Sequence, residues 1–522
     1  MRFFRSQTGP LGASLIVGLS AALSRILGFL REILIAAVFG TSGIADALLI
    51  GLRLPNLLRR TLGEGGAQGA FVPWLLKERS AHTSDAARRR SGRLLVGLIL
   101  TAVILCGAAI WGRAALTHLL APGFLGPSSA FSLAEACLAL AFPIVGASLL
   151  TAFATAWLAV KRAYVLASLS GLLVNLALIA VLFWVQSVGQ ADETAAQIVA
   201  GSMAVAGLGQ VMLLFFVILR QDDAPTLAWP DWRMLADLAK RLLPSLTVAA
   251  APQLAFVMVL MPATQWSGQA SQLIYAERLL QLPFGFIAAG LAFVALPELS
   301  RLHQQGAVED FAAQCQQALL AGLALALPSA MGLAMLAHPM ILLLFARGAF
   351  GVTDASATAY VLQMISLALP VLVGARVLGQ VFFAQQLYRQ PLLASLGGLL
   401  AAGLFSALAR DGAELGLAYA LAMAVDFVLL VIFAARHAQL TWSRPQGLVL
   451  LKLLGCNGVL LVFLLACQIF FPLWPLALAD RALGFIAFCG EIVASVALYA
   501  LSLAFCGLWA PLLAKKSHNH LA

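Results

Sequence analysis

Apolar stretches long enough to cross a bilayer, about 20 residues or more, recur from one end of the chain to the other and are separated by short polar links. Fourteen membrane-spanning helices are expected on that pattern. They fall near 11–38, 43–77, 94–120, 131–160, 163–188, 194–220, 234–263, 268–302, 309–337, 354–387, 390–409, 413–436, 447–472 and 482–513. The expected fold class is therefore an all-α polytopic membrane protein. The first stretch contains Arg25, Arg31 and Glu32. It is too long and too polar for the apolar core of a signal peptide, and reads as a first transmembrane helix.

Composition agrees with the pattern. Only 10% of the 522 residues are charged and 62% are hydrophobic, against about 25% charged in soluble proteins. The net charge of +10 is mostly topological. Twenty of the 32 lysines and arginines gather at one set of helix ends, with Arg113, Arg347, Arg410 and Arg481 on the other side. The positive-inside rule then puts both termini in the cytoplasm, and no nucleic-acid partner is expected. The run Arg88-Arg89-Arg90 reads as a solvated loop beside the inner leaflet. The seven cysteines form no Cys-x-x-Cys pair and read as packing residues. The histidines do not recur at metal-ligand spacing. No Walker lysine motif or Ser/His/Asp arrangement is present, so no cofactor, metal or enzymatic activity is expected.

The chain resembles itself at a shift of 227 residues. Leu166-Ala-Ser-Leu-Ser-Gly-Leu-Leu173 returns as Leu393-Ala-Ser-Leu-Gly-Gly-Leu-Leu400, and the same register aligns Pro143 with Pro370 and Arg162 with Arg389. At a shift of 224, Phe71-Val-Pro-Trp-Leu75 overlies Ala295-Leu-Pro-Glu-Leu299. An offset of six spans preserves topology, so two six-helix lobes, 7–228 and 229–440, are expected as parallel repeats about an axis along the membrane normal. Residues 441–522 carry two appended helices without a copy. Facing lobes imply a central cavity and alternating access; a duplicated, non-transporting scaffold is the alternative.

Charges inside the expected spans carry the functional argument. Leu54-Pro-Asn-Leu-Leu-Arg-Arg60 brings Arg59 and Arg60 into an otherwise apolar segment, where a charge costs several kcal/mol unless it meets water, a partner or a ligand. Asp46, Arg53, Arg60 and Glu64 are spaced by seven, seven and four residues, which stacks them on one face of a continuous helix. Pro55 and Gly63-Glu64-Gly65-Gly66 are expected to bend or interrupt it. Arg25 and Arg31 flank Gly28 on the first helix, an arrangement that would let an anionic group approach the backbone. Glu277 and Arg278 sit at similar depth in the second lobe. The acids Glu32, Asp46, Glu64 and Glu277 are fewer than the arginines Arg25, Arg31, Arg53, Arg59, Arg60 and Arg278. That leaves a cationic surplus suited to phosphate oxygens. Arg376 and Asp426 read either as an ion-coupling site or as a buried pair, and Asn175 and Gln253 as hydrogen bonders between helices.

With those residues in hand, the chain resembles the lipid II flippases, the MurJ/MviN-like family of the multidrug/oligosaccharidyl-lipid/polysaccharide exporter superfamily. The resemblance rests on Ser24-Arg25-x-x-Gly28-x-x-Arg31-Glu32, Phe39-Gly40, Asp46-Ala47, Leu54-Pro-Asn-Leu-Leu-Arg-Arg60, Glu64-Gly65 and Ala70-Phe-Val-Pro73. It continues through Tyr275-Ala-Glu-Arg278, Leu282-Pro283, Ala326-Leu-Pro-Ser-Ala330, Leu344-Phe345, Arg347-Gly348 and Arg376-Val-Leu378. It implies a two-lobe transporter in the bacterial cytoplasmic membrane. The implied cargo is lipid II, undecaprenyl-diphosphate-MurNAc-pentapeptide-GlcNAc, with membrane lipids and other cell-wall synthesis proteins as further partners. It further implies that Arg25, Arg31, Arg59 and Arg278 are cavity arginines, with Asp46, Arg53 and Glu64 alongside, and that the last two helices line a groove for the polyprenyl tail. Glu32 and Glu277 stand where aspartate is common, Gln281 where an acid often stands, and Asp426 is unusual for its helix. A flippase for another polyprenyl-diphosphate-linked oligosaccharide is the nearest alternative.

Overall fold

A computed structural model describes residues 10–63, 68–124, 129–161, 163–189, 191–437 and 444–508. These contain helices and no strand. The first ten are α1 (Pro10–Phe39), α2 (Gly43–Gly63), α3 (Gln68–Ala81), α4 (Ser84–Trp111), α5 (Arg113–Leu120), α6 (Ser129–Ala141), α7 (Pro143–Val160), α8 (Tyr164–Ser170), α9 (Leu172–Val188) and α10 (Glu193–Leu219). Next come α11 (Trp232–Ala263), α12 (Gln269–Gln304), α13 (Val308–Met335), α14 (Ala337–Phe345), α15 (Val352–Ser366), α16 (Ala368–Ala384), α17 (Arg389–Leu408) and α18 (Gly412–His437). The last three are α19 (Arg444–Phe470), α20 (Leu473–Ala479) and α21 (Arg481–Phe505).

Several boundaries follow from local chemistry. Asp192 caps α10 by accepting from the Ala195 amide, and Asp231 caps α11 by accepting from Arg233 and Met234. Asp480 does the same for α21 through Ala482 and Leu483. Each satisfies amides that the first helical turn leaves without a carbonyl.

Among the described residues, ten helices or helix pairs are long and apolar enough to cross a membrane, including Ser84–Trp111, Ser129–Val160 and Arg481–Phe505. The four expected spans not among them fall on α1, on α2 with α3, on α11 and on α12. Charge is the physical reason for α2, whose apolar run is cut by Asp46, Arg53, Arg59 and Arg60.

Three local expectations change. α2 continues through Pro55 to Gly63 without interruption; Glu64 lies outside the described residues, as do residues 65–67. The span expected over 94–120 begins earlier and breaks at Gly112. The run Arg88-Arg89-Arg90 belongs to α4, not to a solvated loop. Arg88 donates to the Ala224 carbonyl at 3.0 Å, and Arg90 pairs with Glu78. Arg79 and Lys161 both pair with Asp223, so the helix gains partners from the adjoining link that sequence spacing does not reveal.

The chain divides into two compact units. One comprises the residues up to Gln253 with Leu260–Ser271 and Arg347–Phe350; the other comprises Leu254–Val259, Gln272–Ala346 and the residues from Gly351 onward. In the first unit Phe71, Leu95, Phe153, Trp157 and Leu214 form a buried cluster where α3, α4, α7 and α10 meet. In the second, Leu299, Phe311, Leu378, Phe382 and Leu430 do so for α12, α13, α16 and α18.

The short segment 347–350 is fixed to the end of α1 by backbone contact. The Ala349 amide donates to the Ala37 carbonyl at 2.8 Å. Gly348 has φ +59°, and a Cβ there would stand 2.2 Å from the same carbonyl oxygen. Glycine is thus required on two counts, backbone conformation and space. Gly348→Ala is expected to destabilise the protein by about 1–3 kcal/mol, read as a lower thermal unfolding midpoint of the purified protein. An unchanged midpoint would show that the segment does not hold this geometry.

Candidate functional site

The first unit carries five of the six arginines singled out by sequence. On α1, Arg31 and Glu32 are buried, at 6% and 2% exposure, whereas Arg25 is exposed. Arg31 Nη2 meets Glu32 Oε1 at 2.6 Å, and Arg31 Nη1 donates to Asn175 Oδ1 on α9 at 3.2 Å. Asn175 Nδ2 in turn donates to the Ser24 carbonyl at 3.2 Å. The Asn175 amide also covers Gly28, where a Cβ would lie 3.9 Å from it. The glycine is therefore roofed by a neighbouring side chain, and the patch beside it is not bare backbone.

On α2, Arg53 is buried and donates to Gln253 Oε1 of α11 at 3.3 Å. Asn175 and Gln253 thus act between helices as expected. Arg59 and Arg60 are half-buried about two turns further on.

Asp46 is differently engaged. It is 1% exposed, and its two carboxylate oxygens accept from the Gly268 amide at 2.5 Å and the Ser271 amide at 2.7 Å. The carboxylate of α2 therefore caps α12 from a distance, satisfying first-turn amides and facing the positive end of the helix. Gly268 has φ +86°, and a Cβ there would approach the Thr41 carbonyl oxygen to 2.5 Å. Glu32 differs from Asp46 in pairing directly with an arginine, Arg31.

The second unit carries Glu277, buried, and Arg278, half-buried, on α12. Gln281 links them: its Nε2 donates to Glu277 Oε1 at 2.7 Å, and its Oε1 accepts from Arg278 Nη1 at 3.4 Å. The spacings of four and three residues put all three on one helix face. In sequence Gln281 stands out only as a substitution; its i−4 and i−3 neighbours are the signal for its bridging role. Arg376 is exposed on α16. Asp426 is half-buried on α18, beside the Ser395 hydroxyl of α17, and its Oδ1 is buried without a hydrogen bond. No ion pair joins Arg376 to Asp426 among the described residues, so the two are not brought together as a pair.

Chemically, α1 and α2 together carry five guanidinium groups, a donor set that suits an anion of several oxygens. The family described as lipid II flippase MurJ matches residues 35–479. The chain belongs to the MurJ lipid II flippase family. It is 30% identical over 323 residues to a probable lipid II flippase MurJ of Rhizobium tropici, covering 60% of each chain. It is 27% identical over 315 residues to the lipid II flippase MurJ of Burkholderia cenocepacia, covering 59% of this chain and 60% of that one. The chain thus spans about three-fifths of the length of the curated relatives it matches. A solved lipid II flippase MurJ in an inward closed conformation superposes with TM-score 0.76 at 21% identity, covering 94% of this chain and 98% of that one. An inward-facing multidrug transporter of the MATE family superposes with TM-score 0.65 at 13% identity, covering 80% and 95%. The fold is MurJ-like, and with ten apolar spans the chain is a multi-pass membrane protein.

Asp46→Asn removes one acceptor and turns an amide donor toward a backbone N–H. It is expected to cost about 1.5–3 kcal/mol, the range for hydrogen bonds to a charged group. Thermal unfolding of matched wild-type and variant protein measures this, and a difference below 0.5 kcal/mol, about the error of an ordinary surface change, would remove the cap from the account.

Proposed function

We propose that the protein is a transporter that flips lipid II from the cytoplasmic to the outer leaflet of the bacterial cytoplasmic membrane by alternating access, without ATP. The arginine group on α1 and α2, inside a MurJ-family chain, is the observation that carries this reading. Arg25, Arg31, Arg53, Arg59, Arg60 and Arg278 bind the diphosphate and its headgroup; Glu32, Asp46, Glu64 and Glu277 set how much positive charge remains. Binding favours closure only because the loaded cavity gains these contacts in one conformation and loses them in the other. Cell-wall synthesis proteins on either side of the membrane would supply and consume the lipid.

The fourteen-span, two-lobe plan with cytoplasmic termini belongs to the same proposal. The repeat is supported by helix lengths: α4 and α13 are both 28 residues, displaced by 224, and a short helix follows each after one residue. On this plan residues 7–228 and 229–440 are the two lobes, and 441–522 hold the appended helices beside the polyprenyl tail. Asp426 is a candidate for ion coupling.

Complementation of cells depleted of their own lipid II flippase tests the proposal, combined with an assay of lipid II in the outer leaflet. Wild type is expected to restore both. Arg25→Ala and Arg278→Ala, at matched membrane levels, should each lower lipid II binding about 10- to 100-fold, the loss of one charge-assisted contact, and fail to complement. If wild type inserts but restores neither readout, the headgroup assignment falls and another lipid-linked glycan or a scaffold role takes its place.

A further inference from the structure

The second unit contains a cavity of about 400 Å³ between the junction of α13 with α14, the helix α15 and the α19–α20–α21 segment. Its size is in the range of small-ligand sites, and its lining is neither purely apolar nor cationic. His338 stands edge-on between two rings, 4.8 Å from Tyr360 and 5.5 Å from Trp474, at 86° and 84°. Phe471 adds a third aromatic wall besides the histidine. Gln468 lines the cavity and donates to the Met335 carbonyl at the end of α13, where the helix presents its negative pole.

Glu491 of α21 closes the set. Its Oε1 is buried with no hydrogen-bond partner among the described residues. The Cys467 thiol hydrogen-bonds the carboxylate but brings no positive charge. Among the described residues no lysine or arginine lines the cavity; its titratable side chains are His338, Tyr360 and Glu491. A buried carboxylate oxygen without a donor costs free energy that an entering cation would recover. Aromatic faces add cation–π attraction for the same charge. The flank of the cavity is greasy and open, since Ile469, Phe470 and Phe471 are 72%, 73% and 76% exposed. A ligand with a cationic head and an apolar body fits both parts.

We propose that this cavity holds the headgroup of a membrane lipid ending in a primary ammonium, an ethanolamine head, with its acyl chains along Ile469 and Phe470. The ammonium donates to Glu491 and to neighbouring carbonyl or amide oxygens while its charge rests against Tyr360 and Trp474. A trimethylated head keeps the charge but cannot donate, and an anionic head meets the carboxylate with like charge.

The test is native mass spectrometry of the full chain taken from bilayers of phosphatidylethanolamine, phosphatidylcholine and phosphatidylglycerol in equal parts. Wild type should retain the ethanolamine lipid about five- to tenfold over each of the others, the scale of one net hydrogen bond. Glu491→Gln should bring the three toward equality at an unchanged thermal midpoint. Trp474→Leu, which leaves the carboxylate in place, should reduce the preference in part and serves as the second variant if Glu491→Gln unfolds. Equal retention of the three lipids by wild type, or an undiminished preference in the variant that folds, overturns the proposal.

Discussion

A guanidinium cannot leave water without donors being matched and charge being answered, and that constraint shapes the helices that bear Arg31, Arg53 and Arg278. Arg31, Arg53 and Arg278 are each met by the carbonyl oxygen of a neutral amide: Asn175, Gln253 and Gln281 respectively. The first two of these amides come from another helix, so satisfying an arginine also fixes a helix-to-helix contact. Leaving such a group unmatched would cost several kcal/mol, more than the roughly 1 kcal/mol of one net hydrogen bond. The packing of α1 on α9 and of α2 on α11 is therefore set by polar atoms as much as by apolar ones.

Asp46 obeys the same constraint with the sign reversed. Its carboxylate is answered by the start of α12, through Gly268 and Ser271. This use is nearly invisible in sequence. Asp46 is 222 residues from Gly268, and its spacing from Arg53 and Arg60 suggests instead a charged stripe along α2. The glycine is the better clue, because Gly268 has a positive φ and stands just before a helix that lacks an Asp, Asn, Ser or Thr at its own start.

What was legible and what was not divides along this line. Apolar length gave the ten spans, most with ends close to those observed, since burying or lipid-facing an apolar run needs no partner. The arginines, Asn175 and Gln253 were legible as polar atoms in apolar surroundings, because such atoms must find partners. Who the partners are was not legible where they come from distant segments. Arg88 and Arg90 looked like loop residues because their partners, Ala224 and Glu78, lie outside their own run. The patch at Gly28 looked bare for the same reason, its cover being supplied by α9.

The choice of amides over carboxylates has an electrostatic consequence. An amide oxygen orients a guanidinium and occupies one donor, yet leaves the unit charge in place. A carboxylate 4 Å away would cancel about 4 kcal/mol of that charge's attraction for an incoming anion at an effective dielectric constant near 20. On the proposed function, the Gln253 oxygen fixes the geometry of Arg53 without itself neutralising it, whereas Arg31, with Glu32 at 2.6 Å, would exchange or share that partner with an arriving diphosphate. A contact of the second kind forms only as another breaks, which is the kind of interaction able to distinguish one conformation from the next.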